Sequence, residues 1–229
     1  MDAQNPATIA ARIETWVFDL DNTLYPASCR LFDQVDRLIG RFIAEEFALD
    51  LVEARRLQKQ YFHEYGTTLS GLMQRHGVDP ARFLDYVHAI DLTPVAPAPR
   101  LDAALARLGG RKLIFTNGSV AHAANVMDRL GVAHHFEDVF DIRAAAWIPK
   151  PLPATYDALV ARHAIDAPRA AMIDDLPRNL APAAALGMTT VLVETGEEWS
   201  KPVGDRSHIH HTTDDLVAWL ETAAPSLTV

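Results

Sequence analysis

Asp19 and Asp21 stand two residues apart, directly after the apolar run Trp16-Val17-Phe18, and Asn22-Thr23 follow them. Carboxylates at that spacing can serve as metal ligands, as a nucleophile, or as an acid and base. An unpaired carboxylate at the edge of an apolar core loses solvation, so it calls for a cation, hydrogen bonds or a raised pKa. The plain alternative is a strand-ending turn in which Asp and Asn close on their own backbone. Residues further along the chain weigh against that alternative.

Three more apolar stretches lead into small polar or charged residues. Leu113-Ile114-Phe115 runs into Thr116-Asn117-Gly118-Ser119, Ile148-Pro149 into Lys150-Pro151, and Ala171-Met172-Ile173 into Asp174-Asp175. If these are parallel strands, their carboxyl ends share one edge, where open α/β sheets place ligands. Asp19, Asp174 and Asp175 can then hold a magnesium ion, with water and the Asp21 carbonyl completing the shell, because this hard cation prefers oxygen. Lys150, the Thr116 hydroxyl and the Asn117 and Gly118 amides suit phosphate oxygens. A Lys between two prolines is also held on a rigid turn. One free carboxylate can attack phosphorus and a second can protonate the leaving oxygen, with charge neutralisation carrying most of the rate.

The elements that must position these groups are legible as alternating periodicities. Ile13 to Leu20 reads as a buried strand. Leu31, Val35, Leu38, Ile39, Phe42, Ile43 and Phe47 recur at helical spacing, with charged residues between them. Further helices are expected over Leu51–Tyr65, stopped by Gly66, then Leu69–His76 and Pro80–Ile90, separated by Gly77 and Asp79-Pro80. No strand-like alternation interrupts them. Pro94, Pro97 and Pro99 then make a stiff linking passage. Helices are expected at 101–108, 120–130, 154–163, 180–186 and 214–223, the last capped by Thr213 or Asp214. Strands are expected at 112–116, 139–142, 170–173 and 189–193. This order specifies an α/β fold, a doubly wound and mostly parallel sheet with a helical insertion after its first strand. The division is 1–25 and 95–229 for the sheet domain and 26–94 for the helical unit.

The totals exclude several classes. A chain of 229 residues can build one good core and a small second unit. Its 49% hydrophobic and 22% charged residues fit a globular protein rather than a disordered one. A net charge of −9 gives no bulk attraction for nucleic acid or anionic membrane, so neither is an expected partner. The lone cysteine, Cys29, rules out an internal disulfide. Residues 1–12 lack the apolar stretch of a secretory signal, and no run is long enough to span a bilayer. The expected location is the cytoplasm. A monomer and a homodimer are both compatible with the sequence.

Taken together, Asp19-Leu20-Asp21-Asn22-Thr23, Thr116-Asn117-Gly118, Lys150 and Asp174-Asp175 resemble the four motifs of the haloacid dehalogenase superfamily of aspartate-nucleophile phosphatases. The resemblance spans nearly the whole chain and includes the helical cap between the first two motifs. It implies a Rossmann-like core, Asp19 as nucleophile, Asp21 as general acid and base, and Thr116 and Lys150 on the phosphate. It also implies magnesium on Asp19, the Asp21 main chain and Asp174, with Asp175 assisting directly or through water. The dehalogenases that name the superfamily are similar but lack the second aspartate. Breaking a carbon–halogen bond needs no proton for the leaving group, whereas an alkoxide leaving phosphate does. A phosphatase is therefore the expected activity.

Within the superfamily, residues 17–26 together with Tyr65-Gly66-Thr67-Thr68-Leu69 and Gly71-Leu72 are similar to the pyrimidine 5′-nucleotidase branch. That resemblance implies a small phosphorylated metabolite of the nucleoside monophosphate kind, UMP or CMP. Because the cap selects the substrate, phosphoglycolate, sugar phosphate and pyridoxal phosphate hydrolases are rivals. A phosphate-binding regulatory protein is a rival of a different class, and the intact acids argue against it.

Other residues invite functional readings. His208, His210 and His211 suggest a metal site, but an exposed loop is the expected state, as is a surface turn for His134-His135. Cys29 is expected to pack rather than react. Tyr61, Phe62 and Tyr65 suit either base stacking or a helical core. Arg178 and Asn179 either support Asp174-Asp175 or cap the next helix.

Overall fold

The computed structural model describes residues 10–197, 200 and 204–223. Its centre is β1 (Thr15–Phe18), whose four residues are all buried. Trp16 and Phe18 enter the apolar cluster on one side of the sheet and Val17 the cluster on the other. Burial on both faces is why this strand is a continuous apolar run. Each such large side chain contributes roughly 1.5–3 kcal/mol by leaving water.

Among the described residues the sheet has six strands, in the order β3-β2-β1-β4-β5-β6. The others are β2 (Arg111–Phe115), β3 (Asp138–Phe140), β4 (Ala170–Asp174), β5 (Thr189–Val193) and β6 (His211–Thr213). All neighbouring pairs are parallel. Phe18 is in register with Ile114 of β2 and Ile173 of β4. The residues just past these positions therefore emerge at one edge, and the order reverses there, at β1.

No strand intervenes between β1 and β2, and the first four α-helices of that stretch form the insertion: α1 (Leu31–Phe47), α2 (Leu51–Tyr65), α3 (Thr68–His76) and α4 (Pro80–Val87). The last three of them start with side-chain caps. Asp50 accepts from the Val52 and Glu53 amides, Thr67 from Ser70, and Asp79 from Ala81 with Pro80 in the first turn. The helices share an apolar cluster built on Val35, Phe42, Ile43, Leu72, Phe83 and Leu84. Gly71 lets α2 and α3 close up, since a Cβ there would lie 2.5 Å from Tyr61. Ile142 and Trp147, from the segment after β3, join this cluster and tie the insertion to the sheet domain.

The remaining helices are α5 (Pro99–Arg107), α6 (Val120–Leu130), α7 (Pro153–His163), α8 (Pro177–Ala185) and α9 (Leu216–Ala223). They cover both faces of the sheet, and the expected doubly wound α/β fold is the one observed. Several bounds differ from expectation. β1 ends before Leu20. Ile142 lies outside β3 because it turns away to pack on the insertion. α8 begins at Pro177, three residues early, because proline suits a first helical turn. The cap of α9 is Asp215, whose Oδ1 accepts from the Ala218 amide; Thr213 closes β6 instead. β6 itself was not expected.

Candidate functional site

Asp19 continues the β1 ladder, its amide donating to the Ile173 carbonyl at 2.8 Å, so its side chain is delivered to the sheet edge by main-chain bonding. Thr23 donates to Asp19 Oδ2 at 3.1 Å, and Lys150 Nζ donates to Oδ1 at 2.7 Å. The same ammonium donates to Asp174 Oδ2 at 2.8 Å and to the Phe115 carbonyl at 2.8 Å. Its three donors are thus all used, and it is 2% exposed. Burial would push the ammonium down, but Asp174 and Asp19 outweigh that and hold it charged, above its ordinary value.

Asp174 ends β4, wholly buried. Its Oδ1 accepts from the Leu176 amide and from Asn179 Nδ2, both at 2.9 Å. Tyr156 in turn donates to the Asn179 carbonyl at 2.6 Å. Asn179 therefore supports Asp174, whereas Arg178 does not touch the acids. Its guanidinium lies 4.4 Å over the Phe62 ring of the insertion and donates to the Gly66 carbonyl at 3.4 Å. Asp175 is buried and accepts no hydrogen bond from any described residue.

Asp19, Asp174 and Asp175 each offer a carboxylate oxygen, and these oxygens lie within 4.8 Å of one another. Three carboxylates face one ammonium, so the ionised group carries two excess negative charges in a dry place. Burial first, then neighbouring acids, push Asp19 and Asp175 upward, with only Lys150 pulling back. An all-oxygen donor set with that excess charge fits a hard divalent cation.

Asp21 differs from these acids. Its Oδ1 accepts from the Tyr25 hydroxyl at 2.5 Å and pairs with His122 Nε2 at 2.8 Å. Burial works to raise this carboxyl, but His122 and Tyr25 more than offset it and bring it to about 2. Burial opposes charge on His122 too, yet Asp21 carries it above its ordinary value.

Thr116 follows β2, and its hydroxyl accepts from the Gly118 amide at 2.9 Å. The Asn117 side chain is used to fix Lys150, accepting from its amide at 2.8 Å and donating to its carbonyl at 3.2 Å. Only the main chain of Asn117 is left for the anion expected there. Asp19, Asp21, Thr116, Asn117, Gly118, Lys150 and Asp175 border one cavity of about 390 Å³, whose far wall comes from the insertion, including Gln58, Lys59 and Phe62.

The sequence profile of the haloacid dehalogenase-like hydrolases matches residues 13–187, three quarters of the chain and all the acids, Thr116 and Lys150 described above. The chain belongs to that family. Within the superfamily fold it is similar to the hydrolase YfnB from Bacillus subtilis, solved bound to magnesium, with 15% identity and a TM-score of 0.60 over 93% of this chain and 100% of that one. It is similar also to a 2-haloacid dehalogenase from Pseudomonas syringae, with 20% identity and a TM-score of 0.57 over 93% and 98% of the two chains. At such identities the likeness concerns the fold alone.

Two curated relatives carry other names. Phosphate metabolism protein 8 of Saccharomyces cerevisiae is 27% identical over 85% of this chain, which spans 66% of that protein's length. Glyceraldehyde 3-phosphate phosphatase of Methanopyrus kandleri is 28% identical over 81% of this chain and 85% of its own.

Against this family background, sequence reasoning missed His122 and His88, and it left Asn179 open between two roles. His122 sits on the buried stripe of α6 with Ala123, Val126 and Met127. A histidine on an apolar stripe three residues after the Ser119 cap was the available signal. The aromatic trio divides. Tyr61 is core, with its hydroxyl 2.6 Å from His76, and Tyr65 packs against it, whereas Phe62 faces the cavity. His208 donates to the Pro177 carbonyl and His210 accepts from the Thr190 amide, so these two anchor a loop rather than gather on an ion. Residues 198, 199 and 201–203 of that loop lie outside the described residues. Cys29 packs against the sheet cluster, and burial pushes its thiol up, away from reactivity. His134 and His135 share Asp102 Oδ1, at 3.1 and 2.7 Å.

Proposed function

We propose that the protein is a magnesium-dependent phosphomonoesterase that works through an aspartyl-phosphate on Asp19, with the helices of residues 26–94 as its substrate-selecting cap. The observation that carries this reading is the buried cluster of Asp19, Lys150, Asp174 and Asp175, in which Asp19, Lys150 and Asp175 border one cavity together with Asp21. The curated phosphatase relative supports the activity. Asp21 separates the reading from that of the dehalogenases sharing the fold, since only an oxygen leaving group needs its proton.

Asp19, Asp174 and Asp175 would hold magnesium through carboxylate oxygens, with the Asp21 carbonyl. When bound, the ion neutralises carboxylate and phosphoryl charge. An Asp19 oxygen attacks phosphorus, the bond to the leaving oxygen breaks, and that oxygen takes a proton from Asp21. In the free protein the proton of the Asp21–His122 pair lies on His122. A phosphate dianion beside Asp21 draws it toward the carboxyl by like-charge repulsion. In the second step Asp21 removes a proton from water as the water oxygen attacks phosphorus, releasing Asp19 and inorganic phosphate. The Thr116 hydroxyl and the Asn117–Gly118 amides orient the phosphate. Lys150 can join them by exchanging one of its three bonds for a phosphate oxygen.

The substrate we propose is a pyrimidine nucleoside monophosphate. Supporting this are the Tyr65–Leu69 and Gly71-Leu72 segments of the cap, a cavity within the roughly 300–1,000 Å³ range of small-molecule sites, and Phe62 on its wall. The name of the Methanopyrus kandleri relative favours a second reading, a triose phosphate. A cytoplasmic location accords with the single cysteine. Among the described residues no helix is long and apolar enough to cross a membrane.

The test is hydrolysis of 4-nitrophenyl phosphate with and without magnesium, followed by UMP, CMP, glyceraldehyde 3-phosphate and phosphoglycolate. Magnesium-dependent turnover with highest kcat/KM on UMP or CMP is expected. No turnover of any phosphate would refute the reading, and preference for another phosphate would refute only the nucleotide assignment.

A further inference from the structure

His122 has a second imidazole laid against it. His88, just past the end of α4 in the insertion, stacks on it with ring centroids 4.3 Å apart and planes 9° from parallel. His88 Nδ1 lies 3.0 Å from Ser119 Oγ, and that oxygen accepts from the His122 amide at 3.2 Å as the cap of α6. The pair lies over the Gly118 turn, where a Cβ would meet His122 Cδ2 at 3.4 Å and His88 Cε1 at 3.6 Å. The His122 side chain is 1% exposed, so little but Asp21 and its packed neighbours can set its orientation.

The two bonds on Asp21 share a feature. Tyr25 and His122 both reach Oδ1, and among the described residues no donor reaches Oδ2. Asp21 borders the cavity. One carboxylate oxygen is therefore clamped from two sides, and the other is left without a protein donor among the described residues.

We propose that His122 is the positioning residue of Asp21, aiming Oδ2 at the leaving-group oxygen, and that His88 ties this aim to the seating of the helical insertion. The inference rests on the phosphatase reading above. His122 touches no substrate; it acts through Asp21. When the insertion is displaced, His88 leaves the stack, His122 gains rotational freedom, and the acid loses its direction. Proton delivery is then confined to the docked state, in which water is excluded.

The test compares single-turnover phosphorylation of Asp19, with magnesium present, across phosphomonoesters running from 4-nitrophenyl phosphate to alkyl phosphates. An acid is worth roughly 10²–10⁴-fold, and only to leaving groups that need a proton. His122→Ala should slow alkyl phosphates at least about tenfold more than 4-nitrophenyl phosphate, as a misaimed acid loses part of that factor. His122→Gln places an amide N–H near the lost Nε2 and should recover most of the difference. His88→Ala, at the edge of the stack, should bend the series in the same direction by less. Equal slowing of all substrates in both histidine-to-alanine variants would overturn the proposal, as would a glutamine variant no better than alanine. Wild-type protein that hydrolyses no phosphate would instead overturn the phosphatase reading itself.

Discussion

The Lys150 ammonium lies 2.7 Å from the Asp19 carboxylate although 131 residues separate them in sequence. Asn117 makes this contact possible by bonding both polar groups of the Lys150 main chain, which fixes where the lysine leaves the backbone. The ammonium is then shared with Asp174, so one cation spans two strand ends. Such a pair is structural and chemical at once.

Replacing Lys150 by Met keeps the volume and removes the charge. It leaves Asp19 and Asp174 facing each other without the cation, and breaking a buried pair in this way costs about 3–5 kcal/mol. Urea denaturation without divalent cation should show a loss of that size, and turnover should fall by at least about a hundredfold, the scale for losing a preorganised electrostatic group. Wild-type stability in Lys150→Met would show that the contact does not hold the site together.

The excess negative charge predicts a strong response to divalent cation. Magnesium binds the native carboxylates and not the unfolded chain, so at a hundred times its Kd it should stabilise by about 2.7 kcal/mol. Thermal unfolding with EDTA and with rising magnesium checks this. The shift should vanish in Asp174→Asn, because that residue supplies both an oxygen and a charge. A shift of equal size in that variant would place the ion elsewhere.

His88 supplies a pH dependence whose sign can be worked out. Burial chiefly, with help from His122, lowers its pKa from 6.5 to about 3, while Asp21 pulls weakly the other way. Between those values the unfolded state binds a proton that the folded His88 refuses, so this residue costs stability as pH falls from 6.5 toward 3. His88→Phe keeps a ring against His122 and cannot titrate. Its stability relative to wild type should improve steadily over that window, measured by denaturant unfolding at several pH values. A difference independent of pH would mean that His88 is not held neutral.

Much of this architecture was readable before any coordinates. Leu31–Phe47, Val120–Leu130 and Thr189–Val193 have their expected bounds because periodicity and end signals agree there. The polar ends of β1, β2 and β4 share one edge because a parallel register leaves them nowhere else to go, whereas Lys150 sits in a turn well past the end of β3 and is brought in by Asn117. The misses share a cause, which is dependence on distant partners. β6 is three residues, two of them threonines, too short to show an alternation before β5 is seen beside it. The Asn117 main chain stays open to the anion as expected of its amide, but its side chain fixes Lys150, a role visible only once the two turns are adjacent. His122 was missed, and Asn179 left between two roles, because both reach their acids from the buried sides of helices, where sequence shows a polar residue on an apolar stripe but not what it faces.

The most direct test of the central claim is to trap the covalent intermediate. Asp21→Asn keeps the nucleophile and removes the base that activates water, so acid quenching during turnover of 4-nitrophenyl phosphate with magnesium should accumulate phosphoenzyme. Peptide mapping by mass spectrometry should place the phosphoryl group on Asp19, and Asp19→Asn should show neither label nor turnover. A phosphoryl group on any other residue, or turnover that survives in Asp19→Asn, would contradict the account.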